Sequence, residues 1–320
     1  MTSSRTKSRS RASDTSVIGS VSESFALGAD GTRLYVRERS QSLRDQPAGV
    51  VGDGVPITTI LCDGICCDGY IWKYLWNDLA TLTRLCHWHY RGHGRSAAPL
   101  DLEHIGVPAH ADDLNRVRLH LGDTPIVLMG HSMGCQVVLE AYRQRPEKIR
   151  GLVLLCGSSG RLTHTFHGTD LLARVLPRVL RVAESRPGLV RGIWSRIPIQ
   201  AALKVALRSG EVDKNLLNPD DLVPYLEHAT HMDLLLFLRM LRAAGDYSAD
   251  DFLSSVDIPT LVVAGNNDTF TPHHLAERMA AALPRSELLM IQSATHVAPL
   301  EHREAVGNRI AQFYAEKILA

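Results

Sequence analysis

The 320-residue chain contains no apolar run approaching the roughly 18 residues that a membrane-spanning helix requires; Leu234-Leu235-Leu236-Phe237-Leu238 is far too short. Nor is there an excess of either charge. Thirty-five Lys and Arg against 34 Asp and Glu leave a formal net charge of +1. That balance calls for neither nucleic acid nor an acidic partner. The N-terminus has no apolar h-region, so no secretory signal is expected, and the location implied is cytoplasmic. Cysteine is sparse and lacks paired spacing. Cys62, Cys86, Cys135 and Cys156 read as small hydrophobes or reduced thiols, and Cys66 and Cys67 as more exposed loop residues. Cys62-x3-Cys66-Cys67 with His87, His89 and His93 matches no zinc-ligand pattern, so no metal is assigned.

What is present is an ordinary core composition, 45% hydrophobic, in a chain long enough for one large α/β domain with an insertion. Residues 1–21 are the exception. They are rich in Ser, Thr and Arg, with Arg5, Lys7, Arg9 and Arg11, and are expected to form a disordered basic tail or a docking arm. From residue 22 the pattern is regular. Segments 23–27 and 33–37 alternate around Ala29-Asp30-Gly31 as a hairpin, and 40–56 reads as a polar loop. Apolar strands are predicted at 57–62, 84–90, 125–129, 149–156, 259–265 and 287–291. Helices are predicted at 71–81, 108–121, 135–142, 272–283 and 301–319. Continuously apolar strands alternating with helices predict a parallel sheet covered on both faces, with functional loops at the carboxyl ends of the strands.

The chemistry is concentrated in Gly130-His131-Ser132-Met133-Gly134. An apolar strand leads in and an apolar helix leads out. This strand–turn–helix forces the apical serine into strained backbone and presents its hydroxyl above the sheet. Gly130 and Gly134 stand where strand and helix approach too closely for a side chain. A serine hydroxyl needs a base, and the base needs an orienting acid. Asp268 follows the strand ending at Ala264, and His296 follows the last strand. The order Ser132, Asp268, His296 suits this architecture. The oxyanion donors expected are the backbone N–H of Met133, which comes with the elbow, and of Ile65, after Asp63-Gly64. His131, Cys66 and Val297 are assigned to the substrate pocket.

Together Gly130-His131-Ser132-Met133-Gly134, Arg91-Gly92-His93-Gly94-Arg95-Ser96, Gly265-Asn266-Asn267-Asp268 and His296-Val297-Ala298-Pro299-Leu300-Glu301 resemble the α/β-hydrolase superfamily, of the capped esterase and lipase type. The resemblance covers about residues 22–318. It implies an α/β fold with a mostly parallel eight-stranded sheet, a helical cap and no cofactor. It departs at Asp63, where many relatives have histidine. A carboxylate facing an oxyanion would oppose catalysis, so Asp63 is expected to turn away and bond backbone amides of the neighbouring loop. An acidic or amide residue here is similar to some intracellular polyester depolymerases. Tyr90 also stands where aspartate is common. Ser132 argues against epoxide hydrolases and haloalkane dehalogenases, which place aspartate at the elbow.

No strand pattern appears between about residues 160 and 245. This gives the expected division: core 22–159 and 246–320, helical cap 160–245. From Arg161 to Lys204 there are eight basic and two acidic residues. Arg174, Arg178 and Arg181 are expected on one helix face, opposite Leu172, Val175, Leu176 and Val179. That face is either solvated or docks on an anionic lipid surface. The expected substrate is a small or lipid-like ester with an apolar acyl group, cleaved through an acyl-enzyme. A carbon–carbon bond hydrolase or a cofactor-free perhydrolase would use the same three residues, and a non-catalytic binding protein would more commonly have lost one.

Overall fold

The structure, a computed structural model, describes residues 20–40, 50–51, 55–194, 196–209 and 212–320. The expected tail at 1–21 lies outside these apart from its last two residues, and so does most of the loop at 40–56.

Strands β1 (Val21–Leu27) and β2 (Arg33–Arg39) form the hairpin. A two-residue pair follows, β3 (Val50–Val51) with β4 (Val55–Pro56). Then come β5 (Thr58–Cys62), a 3-10 turn at Tyr70–Trp72, helix α1 (Leu75–Leu79), β6 (Arg84–Trp88) and α2 (Val107–His120). After these come β7 (Ile126–His131), α3 (Met133–Gln144) and β8 (Ile149–Leu155). Beyond the helical segment described below lie β9 (Thr260–Gly265), a helix at His273–Ala282, β10 (Ser286–Ile291) and the C-terminal helices.

Eight of these strands make one sheet in the order β1-β2-β6-β5-β7-β8-β9-β10. β1 and β2 are antiparallel to their neighbours, and all other pairs are parallel. The continuously apolar strands are explained by cover on both faces. On β7, Ile126 and Leu128 join one core with α2 and α3, while Val127 and Met129 point into the other with α1 and the C-terminal helix. β8 and β9 alternate in the same way, because side chains of a strand project to opposite faces by turns.

Among the described residues, five α-helices fill the stretch between β8 and β9: α4 (Leu171–Ser185), α5 (Pro187–Trp194), α6 (Ile199–Ser209), α7 (Val223–His231) and α8 (Leu234–Asp246). Gly160 and Ser248 pair as an antiparallel bridge at its neck. The remaining helices are α9 (His273–Ala282), α10 (Ala298–Glu301) and α11 (Arg303–Phe313). Among the described residues no helix is long and apolar enough to cross a membrane.

Several local expectations are corrected. The helix expected at 71–81 is a 3-10 turn and a short α1, because Trp72 is held by Asp63 as described below. The helix expected at 301–319 breaks at His302 (φ −123°, ψ 43°) and ends in a π-helical turn at Tyr314–Ile318. On α4 the buried face is Leu176, Leu180 and Ala183, packed on Leu238 of α8. Val175 and Val179, expected inside, are 38% and 43% exposed beside the arginines. Cys66 and Cys67, expected to be exposed, are buried.

Candidate active site

The elbow follows from the register. β5 and β7 run parallel with Cys62 opposite Gly130, so the loops after both strands leave the sheet side by side. Ser132 sits at φ 56°, ψ −120°, a left-sided conformation unusual for a residue with a side chain. The glycines are sterically required. A Cβ on Gly130 would lie 2.4 Å from the backbone carbonyl of Gly134, and one on Gly134 would lie 2.2 Å from the oxygen of Cys62. Met133 opens α3, so its N–H falls before the i→i−4 ladder begins and stays available, at the positive end of the helix dipole.

β9 and β10 are parallel neighbours ending at Gly265 and Ile291, which brings their following loops together. There His296 Nδ1–H donates to Asp268 Oδ2 at 2.9 Å. The carboxylate is fully engaged. Oδ2 also accepts from Thr271 Oγ1 at 2.8 Å, and Oδ1 accepts from the amides of Phe270 (2.9 Å) and Thr271 (2.8 Å). With Nδ1 committed as a donor, the neutral His296 ring keeps its Nε2 lone pair free to accept a proton. The ring lies between those of Phe270 and His131, at centroid distances of 4.9 and 5.0 Å. Ser132 and His296 open onto one cavity of about 180 Å³. Ser132 makes no hydrogen bond to the histidine.

The same cavity is lined by Ile65, Cys67, Tyr70, Leu222, Tyr225, Leu226, Phe270 and Val297, so α7 and the turn before it supply part of its wall. His131 and Val297 also line it. Cys66 does not. It is buried among Ile105, Met232, Leu236 and Met240, and its neighbour Cys67 faces the cavity. Burial pushes the Cys67 thiol well above its ordinary value, so it is no thiolate, and it donates to the carbonyl of Ile65. The Ile65 amide has no partner among the described residues. A larger cleft of about 570 Å³, walled by Ser158, Arg161, Asp250 and Arg278 among others, includes neither Ser132 nor His296.

Asp63 turns away from the serine, but its partners are side chains and not the expected backbone amides. Trp72 Nε1–H donates to Oδ1 at 2.6 Å and His87 Nε2–H donates to Oδ2 at 2.8 Å. Burial works to raise this carboxyl, yet the His87 charge and these hydrogen bonds outweigh it and hold it below the usual carboxylate range. The Tyr90 hydroxyl donates to the Asp63 carbonyl at 2.8 Å. Gly64 then runs against the serine: a Cβ there would stand 3.1 Å from Ser132 Cβ.

Three supporting roles were not legible in the sequence. His131 Nε2–H donates to the His296 carbonyl at 2.9 Å, and burial, then the nearby His296 charge, lower its pKa to about 3. His93 Nε2 accepts from the Cys66 amide at 3.1 Å, next to Ile65. Glu301 accepts from the Thr295 amide and hydroxyl, both at 2.8 Å, and from the Asp213 amide at 2.7 Å, which ties the His296 loop to the helical segment. All three act between loops distant in sequence. The hydrogen-bonding capacity of His93 and Glu301 inside recognisable motifs was the available signal.

Comparison with known proteins agrees with this architecture. RutD of Rhizobium rhizogenes, named for carbamate hydrolysis, is 25% identical over 259 residues, covering 80% of this chain and 92% of that protein. A pimeloyl-[acyl-carrier protein] methyl ester esterase of Neisseria meningitidis is 27% identical over 216 residues, covering 67% and 76%. The esterase EaEST from Exiguobacterium antarcticum superposes with a TM-score of 0.71 at 19% identity, covering 92% of this chain and 99% of that one. The family model for the alpha/beta hydrolase fold matches residues 59–303, and the chain belongs to that family of enzymes.

Proposed function

We propose that the protein is a serine hydrolase that cleaves carboxylic esters of apolar acyl groups through an acyl-enzyme. The observation that carries the reading is the 2.9 Å contact of His296 Nδ1 with Asp268 Oδ2, on a histidine that shares its cavity with Ser132. Ser132 Oγ attacks the ester carbonyl carbon as His296 Nε2 takes its proton. Asp268 fixes the tautomer and stabilises the imidazolium. The oxyanion accepts hydrogen bonds from the Met133 and Ile65 amides, each worth on the order of 3 kcal/mol to the transition state. Collapse expels the alcohol, which receives the proton from His296. Water, deprotonated by the same nitrogen, then releases the acid.

Residues 160–245 act as a cap over this site, on a core of 22–159 and 246–320. In support, Leu222, Tyr225 and Leu226 line the cavity. The names of the two curated relatives, for carbamate and methyl ester cleavage, both describe scission at an acyl carbon bonded to oxygen or nitrogen. The outer face of α4 supports contact of the cap with an anionic lipid surface: Leu171 and Val182 are 63% and 60% exposed among Arg174, Arg178 and Arg181. Failure to pellet with phosphatidylserine vesicles above background would end that part of the reading.

The catalytic assignment is tested with a fluorophosphonate probe and peptide mass spectrometry. One adduct is expected, on Ser132, absent after Asp268→Ala slows the reaction and after Ser132→Ala removes the nucleophile. An unmodified wild-type protein would contradict it.

A further inference from the structure

The catalytic cavity is walled mainly by apolar side chains, among them Val212, Leu222, Leu226 and Phe270. Two tyrosines interrupt this wall. Tyr70 comes from the 3-10 turn after β5, and Tyr225 comes from α7 in the helical segment. Their rings lie 5.0 Å apart with planes inclined by 34°, so the sheet side and the helical side of the cavity meet at this pair. Neither hydroxyl has a hydrogen-bond partner among the described residues, and both residues line the cavity.

Five other tyrosine hydroxyls in the molecule are paired. Tyr35 donates to Glu23 at 2.7 Å, Tyr74 to Asp221 at 2.8 Å, Tyr90 to the Asp63 carbonyl at 2.8 Å and Tyr247 to Glu140 at 2.8 Å; Tyr314 meets the Thr59 hydroxyl at 2.6 Å. Phenylalanine at 70 and 225 would keep the ring contact and the apolar wall without stranding a polar group. The two hydroxyls are thus donors left free on the cavity wall.

We propose that Tyr70 and Tyr225 form a polar subsite of the catalytic cavity, donating hydrogen bonds to a second oxygen in the acyl part of the ester, an ether, hydroxyl or oxo group. The enzyme then selects oxygen-bearing acyl groups over plain alkyl chains of the same size. This rests on the serine-hydrolase reading above and adds the substrate class. Because Tyr225 belongs to the helical segment and Tyr70 to the sheet side, the subsite draws one hydroxyl from each.

The test compares p-nitrophenyl methoxyacetate with p-nitrophenyl butanoate, acyl groups of matched shape that differ by an oxygen in place of a methylene. Wild type, Tyr70→Phe and Tyr225→Phe are each assayed for kcat/KM on both. The greater intrinsic reactivity of the methoxyacetyl ester is common to all three proteins and cancels. The expected result is a methoxyacetate-to-butanoate ratio about five- to tenfold lower in each variant, the worth of one hydrogen bond. A ratio unchanged in both variants, or an equal fall on both esters, overturns the subsite. So does a protein that hydrolyses neither ester while still taking the fluorophosphonate on Ser132. A wild type that takes no fluorophosphonate instead refutes the serine-hydrolase reading, and the subsite with it.

Discussion

His87 Nε2 lies 2.8 Å from Asp63 Oδ2, and this buried contact holds the carboxylate that precedes Gly64. Asp63 immediately precedes Gly64, whose added Cβ would reach within 3.1 Å of Ser132 Cβ. An acidic residue at this point is tolerated because both its oxygens are occupied by donors from the opposite side. His87→Leu leaves a buried carboxylate with Trp72 as its one side-chain donor. The expected loss is about 3 kcal/mol of stability by urea unfolding, together with a fall in kcat that exceeds any rise in KM.

Gly64→Ala tests the same loop from the serine side. The new methyl group would press on Ser132 Cβ at 3.1 Å and His131 Nδ1 at 3.2 Å, contacts that need the catalytic loop to give by a few tenths of an ångström. A fall in kcat of at least about tenfold is expected, with the melting temperature lowered by only a few degrees. Gly134→Ala should differ in kind. Its methyl would meet the backbone of Cys62 and Asp63 at 2.2–2.7 Å, and loss of soluble folded protein is expected.

Much of this was readable from residue types. The apolar strands, their helices and the order Ser132, Asp268, His296 follow from patterns that repeat within a few residues. The glycines at 130 and 134 carried their steric reason with them. What escaped was fixed by packing between distant segments. Trp72 is expected on a regular helix until Asp63 claims its indole. Val175 and Val179 suit either side of α4 by spacing alone, and the position of α8 decides it. Cys66 and Cys67 are equivalent in sequence, and a positive φ of 62° at Cys66 turns them to opposite environments.

Stability should fall on mild acidification. Burial lowers His89 and His131 to about 3 and His93 to about 4, against about 6.5 in an unfolded chain. The unfolded state then binds more protons between these values. The stabilisation is complete above pH 6.5 and is lost as pH falls, down to about 4 for His93 and about 3 for His89 and His131, at about 1.4 kcal/mol per pH unit for each histidine. Asp63, held below its ordinary value, adds a loss only as pH drops through that lower range. Urea titrations at a series of pH values check this. His89→Gln should remove about 1.4 kcal/mol per unit from the slope.

Glu301→Gln probes the tie between the His296 loop and the helical segment. The amide retains one acceptor where the carboxylate serves three donors, from Thr295 and Asp213. The expected cost is about 1–3 kcal/mol, with a loss of activity larger than the loss of folded protein. Circular dichroism melts and active-site titration on the same sample separate the two.

The central claim is that Ser132 forms an acyl-enzyme with His296 as its base. Stopped-flow release of p-nitrophenolate from a short-chain p-nitrophenyl ester tests it most directly. The account predicts a burst of up to one equivalent per protein chain when deacylation is the slow step, and a fall of at least about a thousandfold in kcat/KM in Ser132→Ala, as loss of a triad nucleophile produces. Turnover in Ser132→Ala at the wild-type rate would contradict it.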